Sequence, residues 1–331
     1  MQRTKNNTKQ IQVQRREIRN KEIKINSKQN KIFAIVGPSC TYKTGIGIRL
    51  AQEFPFEIIS CDSRLIYKYM DIGTAKPSLE ERKNIPHHLI DIVEPNEDFT
   101  VSQYKNLAKK IIDDIYTRNK IPLFVGGTGL YLDSIIAGLS IPMVEPDTAL
   151  RKELETKDLA DLHKMLEKID NESAQRIHPN DRFRIIRAIE VTQKTGKKFS
   201  LQREIKEPSF DVEMIGLTFN DREKHSDLLK KRVEKMLKNG FIDEVKFLVN
   251  KYGKLELFKK TIGYAEVVRF LDGELTKEKL VDEITISTRQ YTKRQRTWFK
   301  KHKDIIWINL DEKTFEDAYQ ESVSFLTPVL N

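Results

Sequence analysis

Apolar residues in the first half of the chain come in short unbroken runs. Ile32-Phe33-Ala34-Ile35-Val36 is followed by Gly37-Pro38, Ile58-Ile59-Ser60-Cys61 by Asp62, and Ile121-Pro122-Leu123-Phe124-Val125 by Gly126-Gly127. Runs of this kind, with little polar alternation, suit strands covered on both faces, and the breakers end them. Between them the chain takes up helical spacing, through Arg49-Leu50-Ala51-Gln52-Glu53 and again where Leu130, Tyr131, Ile135 and Ile136 recur. Strands alternating with helices predict a mostly parallel sheet whose active site lies at the strands' carboxyl ends.

The pattern changes after Pro142. From Thr148 to about Gln202 the chain is charged, helical in period and without an obvious strand, which predicts a helical insertion. Phe210 to Phe219 is strand-like again and should return to the first sheet, making the core discontinuous. Leu229, Val233, Met236 and Leu237 then recur at helical spacing up to Asn239-Gly240, a helix-ending pair, and another long helix is expected from Lys277 to Lys300. The expected parts are a basic tail (1–30), a core (31–141 and 208–325) and a helical insertion (142–207).

Length and charge refine this picture without deciding it. With 331 residues the chain suits one large or two coupled domains. Lys and Arg total 59 against 49 Asp and Glu, an excess of ten suited to a polyanionic partner. Seven of those ten charges belong to the first thirty residues, however, where nine Lys/Arg face two Glu. That segment reads as a solvated tail, with an RNA-contacting arm or a transit peptide as alternatives. Apolar runs are too short to span a membrane. Cys40 and Cys61 are too few for a disulfide framework or a four-cysteine zinc site, which makes a reducing, cytoplasmic setting the expectation.

The chemistry-bearing residues sit where the strands end. Gly37-Pro38-Ser39-Cys40-Thr41-Tyr42-Lys43-Thr44 has the spacing of a phosphate loop, G-x-x-x-x-G-K-[ST], with Tyr42 in place of the second glycine. In such a loop backbone N–H groups cradle phosphate, the lysine adds a point charge and the hydroxyl meets magnesium. A tyrosine at that position is expected either to obstruct the phosphate or to strain the loop. Asp62, at the head of Asp62-Ser63-Arg64-Leu65-Ile66-Tyr67, is placed beside this loop at the top of a neighbouring strand, as a general base or a helix cap. Two basic stripes stand out: Arg184 with Arg187, and Arg289, Lys293, Arg296 and Lys300. They are solvated faces or grips for an RNA backbone. The histidines lack metal-ligand spacing.

The order of these motifs resembles the tRNA dimethylallyltransferase family. The further matches are Met70-Asp71-Ile72-Gly73-Thr74-Ala75-Lys76-Pro77, Pro86-His87-His88-Leu89-Ile90-Asp91, Val125-Gly126-Gly127-Thr128-Gly129-Leu130-Tyr131, Ile177-His178-Pro179-Asn180-Asp181, Thr261-Ile262-Gly263-Tyr264 and Thr288-Arg289-Gln290-Tyr291-x-Lys293-Arg294-Gln295-x-Thr297-Trp298. The resemblance implies an α/β fold, a P-loop NTPase-like mostly parallel sheet flanked by helices, with an all-helical insertion. It implies transfer of a dimethylallyl group from its diphosphate to N6 of adenosine 37 in tRNAs reading codons that start with U, with Mg2+.

Carried over residue by residue, Asp62, Lys43, Ser39 and Thr44 would be catalytic, and Gly37 to Thr44 would hold the diphosphate, with magnesium on Thr44. Asp62, Ser63, Arg64, Leu65, Thr128, Arg151, Arg182, Phe183, Arg184, Ile185 and Ile186 would touch the tRNA anticodon stem-loop. A monomer without a membrane partner is expected. Two departures strike the same ligand: Tyr42, and Leu228, which aligns with a family arginine that helps bind the diphosphate. They support an alternative, an impaired family member kept as an RNA-binding protein.

Overall fold

The computed structural model describes residues 31–137, 142, 144–202 and 210–330. The expected basic tail lies outside the described residues, as do the junctions at 138–141, 143 and 203–209. The described chain falls into two compact units, 31–99 with 106–132 and 210–330, and 100–105 with 133–202.

The first unit is built on a six-stranded, wholly parallel sheet. Its strands are β1 (Lys31–Val36), β2 (Phe56–Cys61), β3 (His87–His88), β4 (Ile121–Gly126), β5 (Asp211–Thr218) and β6 (Ile305–Asn309), in the order β3-β2-β4-β1-β5-β6. All residues of β2 and β4 are buried, which explains why these runs show no alternation. Phe33, Ile35, Ile58, Leu123, Val125, Ile215 and Leu217 form one core cluster with Ile46 and Leu50 of helix α1 (Lys43–Glu53), and Tyr319, Val323 and Leu326 near the C-terminus also join it. The return of Phe210–Phe219 to the first sheet is realised: β5 pairs with β1 from Lys31↔Asp211 to Val36↔Gly216.

One expectation needs correcting. Asp62 does not follow the strand next to the phosphate loop, because β4 lies between β1 and β2. Val36 and Cys61 both pair with Gly126, so the loops after the three strands start level. Gly126 is required there, since a Cβ would sit 2.1 Å from the Cys61 carbonyl oxygen.

Helices α2 (Val101–Thr117) and α3 (Gly129–Ile136) follow β3 and β4. After β5 come α8 (Arg222–Lys238), α9 (Phe241–Tyr252), α10 (Glu256–Lys259), α11 (Tyr264–Leu271) and α12 (Lys277–Phe299). Val233, Phe241, Val245, Phe258, Tyr264, Leu280 and Ile284 give these helices a core of their own, and α13 (Phe315–Leu330) ends the chain.

The second unit is helical, with α4 (Thr148–Glu155), α5 (Leu159–Ile169), α6 (Asn171–Arg176), α7 (Arg182–Thr195) and a 3-10 turn at Phe199–Gln202. At its centre Glu190, fully buried, accepts a bidentate pair from Arg151 (2.8 and 2.7 Å), a bond from Arg187 (2.5 Å) and the Asp147 amide (2.7 Å). Burial pushes its pKa up, but these four donors outweigh burial and hold the carboxyl below the usual range. Removing one member of a buried ionic cluster leaves the others unpaired. Glu190→Ala should therefore destabilise the protein by about 3–5 kcal/mol in urea unfolding; a loss below about 1 kcal/mol would mean that the two arginines find water instead.

Candidate active site

The loop after β1 has the geometry of an anion cradle. Gly37 has φ 143°, and a Cβ there would meet the Leu217 carbonyl oxygen at 2.2 Å, so no other residue fits. Cys40 (φ 61°) and Tyr42 (φ 60°) are left-handed, and Thr41 and Lys43 between and after them are not. Alternation of this kind curls successive N–H groups toward one concavity, here at the N-terminus of α1. That helix end has no side-chain cap and no acidic residue in its first turn, which leaves its N–H groups to a ligand.

Tyr42 strains the loop and turns its ring onto a neighbour. A non-glycine residue in this conformation costs about 1–2 kcal/mol. Its ring stands edge-on to Phe315, with centroids 5.8 Å apart at 82°, a contact that returns about 0.5–1.5 kcal/mol. It is absent from the lining of the cavity described below. Leu228, the other departure, packs against the sheet core.

Lys43 donates to the Pro38 carbonyl, as does the Thr41 hydroxyl (2.9 Å). Desolvation, and then the positive Arg232, lower the Lys43 pKa to about 8. Thr44 is exposed at the first turn of α1.

Ser39 is pinned at both backbone groups. Its N–H donates to Gln295 Oε1 (3.1 Å), and its carbonyl accepts from His225 Nε2 (2.7 Å). The Gln295 amide also donates to the Gly127 carbonyl (3.0 Å), so one α12 side chain ties the loop after β1 to the loop after β4. Three residues on, Trp298 lies against Gly129, where a Cβ would be 2.1 Å from the indole.

Asp62 opens the loop after β2. Its Oδ1 accepts the Arg64 amide (2.8 Å), forming a turn rather than a helix cap. Thr128 Oγ1 accepts the Ser63 amide (3.1 Å) and faces Tyr291, whose own pKa is pushed up to about 12 by burial and the charge of Asp62. Leu65 offers its carbonyl to the Asp91 amide (3.1 Å). The segment from Asp71 to Gly73 is anchored by Glu244, whose carboxylate accepts the amides of Asp71 (3.0 Å), Ile72 (2.6 Å) and Gly73 (3.1 Å) and the Tyr264 hydroxyl (2.6 Å). Lys76, almost wholly buried, bonds Asp71 and Asp91, which joins two of the sequence motifs as scaffold.

These loops enclose a cavity of about 330 Å³. Ser39 of the phosphate loop and Asp62 line it together with Arg64, Arg232, Lys260 and Arg294, and Leu229, Val233, Met236 and Ile284 form an apolar wall. It thus joins an anion end, one carboxylate and a surface for a short hydrocarbon. The basic stripe Arg289, Lys293, Arg296 and Lys300 lines a second cavity of about 470 Å³ with Arg222 and His225.

The expected tRNA residues of the helical unit divide by exposure. Phe183 is 73% exposed, and Arg184 is exposed beside Asp181 (3.3 Å). Arg182 donates to the Lys157 carbonyl (2.8 Å). Ile185 and Ile186 are interior, their side chains belonging to that unit's core. Arg151 and Arg187 are drawn to Glu190, so Arg184 and Arg187 do not form the shared free face that their spacing predicted. His225, Gln295 and Glu244 were not singled out from the sequence. Gln295 sits inside a quoted motif, whereas nothing local marks the other two.

Comparisons with known proteins give the chain's family. The family model described as IPP transferase matches residues 65–302. The tRNA dimethylallyltransferase of Dictyoglomus turgidum is 47% identical over 290 residues, covering 85% of this chain and 88% of its own. That of Caldanaerobacter subterraneus subsp. tengcongensis is 42% identical, covering 89% and 97%. Among solved structures, the tRNA isopentenylpyrophosphate transferase of Bacillus halodurans superposes with a TM-score of 0.69 at 36% identity, over 91% of this chain and 97% of that one. A eukaryotic dimethylallyltransferase described as acting on tRNA gives 0.80 at 29% identity, over 91% and 80%. Matched by these relatives over most of its length, the chain belongs to the tRNA dimethylallyltransferase family.

Proposed function

We propose that the protein transfers the dimethylallyl group of dimethylallyl diphosphate to N6 of adenosine 37 in tRNAs that read codons beginning with U. The observation that carries this reading is the single cavity in which Asp62, the phosphate loop and an apolar wall meet. The apolar wall suits the five-carbon chain, and the loop suits its diphosphate. The adenine N6 attacks the first carbon of the dimethylallyl group, the bond from that carbon to the diphosphate oxygen breaks, and the N6 proton passes to Asp62. Charge growing on the leaving diphosphate is met by the loop N–H groups, Lys43 and Arg232, held in place before the reaction begins. An adenine in a stacked anticodon loop is out of reach, so the base is extruded into the cavity, with Arg64 and Arg294 near its backbone. Phe183 and Arg184 are the helical unit's most available contacts for the anticodon stem-loop.

Magnesium fits the donor set in part. No cluster of three His, Cys, Asp or Glu occurs among the described residues, so these offer no closed metal cage. Magnesium keeps most of its water and needs few protein ligands when phosphate supplies the rest. The exposed Thr44 hydroxyl is the protein group that would hold it. When bound it would neutralise charge on the diphosphate. No helix among the described residues is long and apolar enough to cross a membrane.

Two variants test this reading by mass spectrometry of digested tRNA after incubation with dimethylallyl diphosphate and magnesium. Asp62→Asn should lower the rate of N6-isopentenyladenosine formation by roughly a hundred- to ten-thousandfold, the usual scale of general-base catalysis. Absence of product from excess wild-type protein would overturn the proposal. Tyr42→Gly should change stability by less than about 1 kcal/mol, because relief of strain offsets the lost ring pair. Its turnover should stay within about threefold of wild type, since the ring is outside the cavity. Product from Tyr42→Gly alone would favour the impaired RNA-binding alternative.

A further inference from the structure

We propose that His225 is a positioning residue for the donor: held as its neutral Nε2–H tautomer, it fixes the peptide after Ser39 so that the phosphate loop presents its N–H groups to the diphosphate. This inference rests on the function proposed above.

The tautomer follows from hydrogen-bond logic. His225 Nδ1 meets the Arg296 guanidinium, and a guanidinium only donates, so Nδ1 must accept. Nε2 meets the Ser39 carbonyl oxygen at 2.7 Å, which only accepts, so Nε2 carries the proton. A second proton on the ring would face Arg296 directly. The residue is 2% exposed and its ring is stacked on Phe219, with centroids 5.0 Å apart at 24°, which adds packing to the two hydrogen bonds that orient it. Burial lowers its pKa, the bond to the Ser39 carbonyl opposes this, and Arg296 and Lys43, facing it from α12 and α1, outweigh Asp311 after β6, so the net shift is downward.

What the imidazole holds is the entry to the anion cradle. In a trans peptide the carbonyl and the following N–H point opposite ways. Drawing the Ser39 carbonyl toward α8 therefore turns the Cys40 N–H the other way, and Cys40 is the first left-handed residue of the loop. Gln295 takes the Ser39 N–H in the same manner. Arg232 approaches Cys40 Sγ at 3.8 Å, which places a cation beside that first left-handed residue. Without the imidazole the Ser39 peptide is free to flip, and its oxygen would then oppose a diphosphate.

The test compares His225→Phe, which keeps the stack on Phe219 but has no donor, with His225→Gln, whose amide nitrogen mimics Nε2. Both are checked for native melting before assay. In His225→Phe the KM for dimethylallyl diphosphate and the Kd for inorganic diphosphate with magnesium should rise about tenfold, the scale of one unmade hydrogen bond. The KM for tRNA should stay within about twofold, and His225→Gln should recover most of the donor affinity. A purely structural residue would alter both KM values or melting. Nitrogen-15 spectra of histidine-labelled protein should show His225 as the Nε2–H form, and still neutral at a pH where a free imidazole has begun to protonate. An Nδ1–H form, or unchanged donor KM in His225→Phe, would overturn the inference. An inactive wild type that still binds diphosphate more tightly than His225→Phe would overturn only the transfer reaction.

Discussion

A single amide, that of Gln295, couples the two loops on which the site depends. It accepts from Ser39 and donates to Gly127, so the phosphate loop and the loop after β4 are set at a fixed spacing. The bond pair works because Gly127 has no side chain: a Cβ would stand 2.1 Å from the Gln295 nitrogen. The same helix brings Tyr291 to Thr128, Arg296 to His225 and Trp298 to Gly129. Helix α12 is thus a crossbar over the carboxyl edge of the sheet, and each loop beneath it carries a glycine or a backbone group shaped to receive it. Buried amide groups are costly when unpaired, which makes such an arrangement strongly specified.

The order of the strands explains why the crossbar is needed. Because β4 separates the strand of Asp62 from that of the phosphate loop, the carboxylate and the phosphate cradle cannot be neighbours by strand pairing alone. Gly126 lets the backbone of the middle strand pass close to Cys61, and Thr128 reaches across to the Ser63 amide. The two reactive ends are therefore joined through the intervening loop, whose bulk is kept small. The apolar wall of the cavity comes from α8 and α12, so the helices that position the polar groups also supply its apolar lining.

Two departures from the family pattern look alike in sequence and differ in structure. Tyr42 and Leu228 both fall at positions that the family resemblance links to the diphosphate. Tyr42 keeps the left-handed backbone that a glycine would adopt and turns its ring onto Phe315, so the loop's path survives with some strain. Leu228 gives up a charge and joins the sheet core, while Arg232, one turn further along α8, still lines the cavity. The arginines of the helical unit show the reverse: Arg151 and Arg187 look like phosphate contacts, and the structure turns both inward to Glu190.

Local pattern was enough for much of this protein. Solid apolar runs marked β1, β2 and β4, because a strand buried on both faces has no polar side to write into its sequence, and Asn239-Gly240 marked the end of α8. The loop motif located Gly37 to Thr44, because phosphate binding needs fixed residue types at short spacing. Pairings between distant residues were not legible. The order of β4 between β1 and β2, the grip of Glu244 on Asp71 to Gly73, and the bond from His225 to a carbonyl 186 positions away depend on which surfaces meet after folding. A hydrogen bond to a backbone group leaves no mark on its partner's identity, since every residue type supplies the same N–H and C=O. The sequence alone therefore determined the elements and the reactive groups, and only the tertiary structure decided which backbone groups hold them in place.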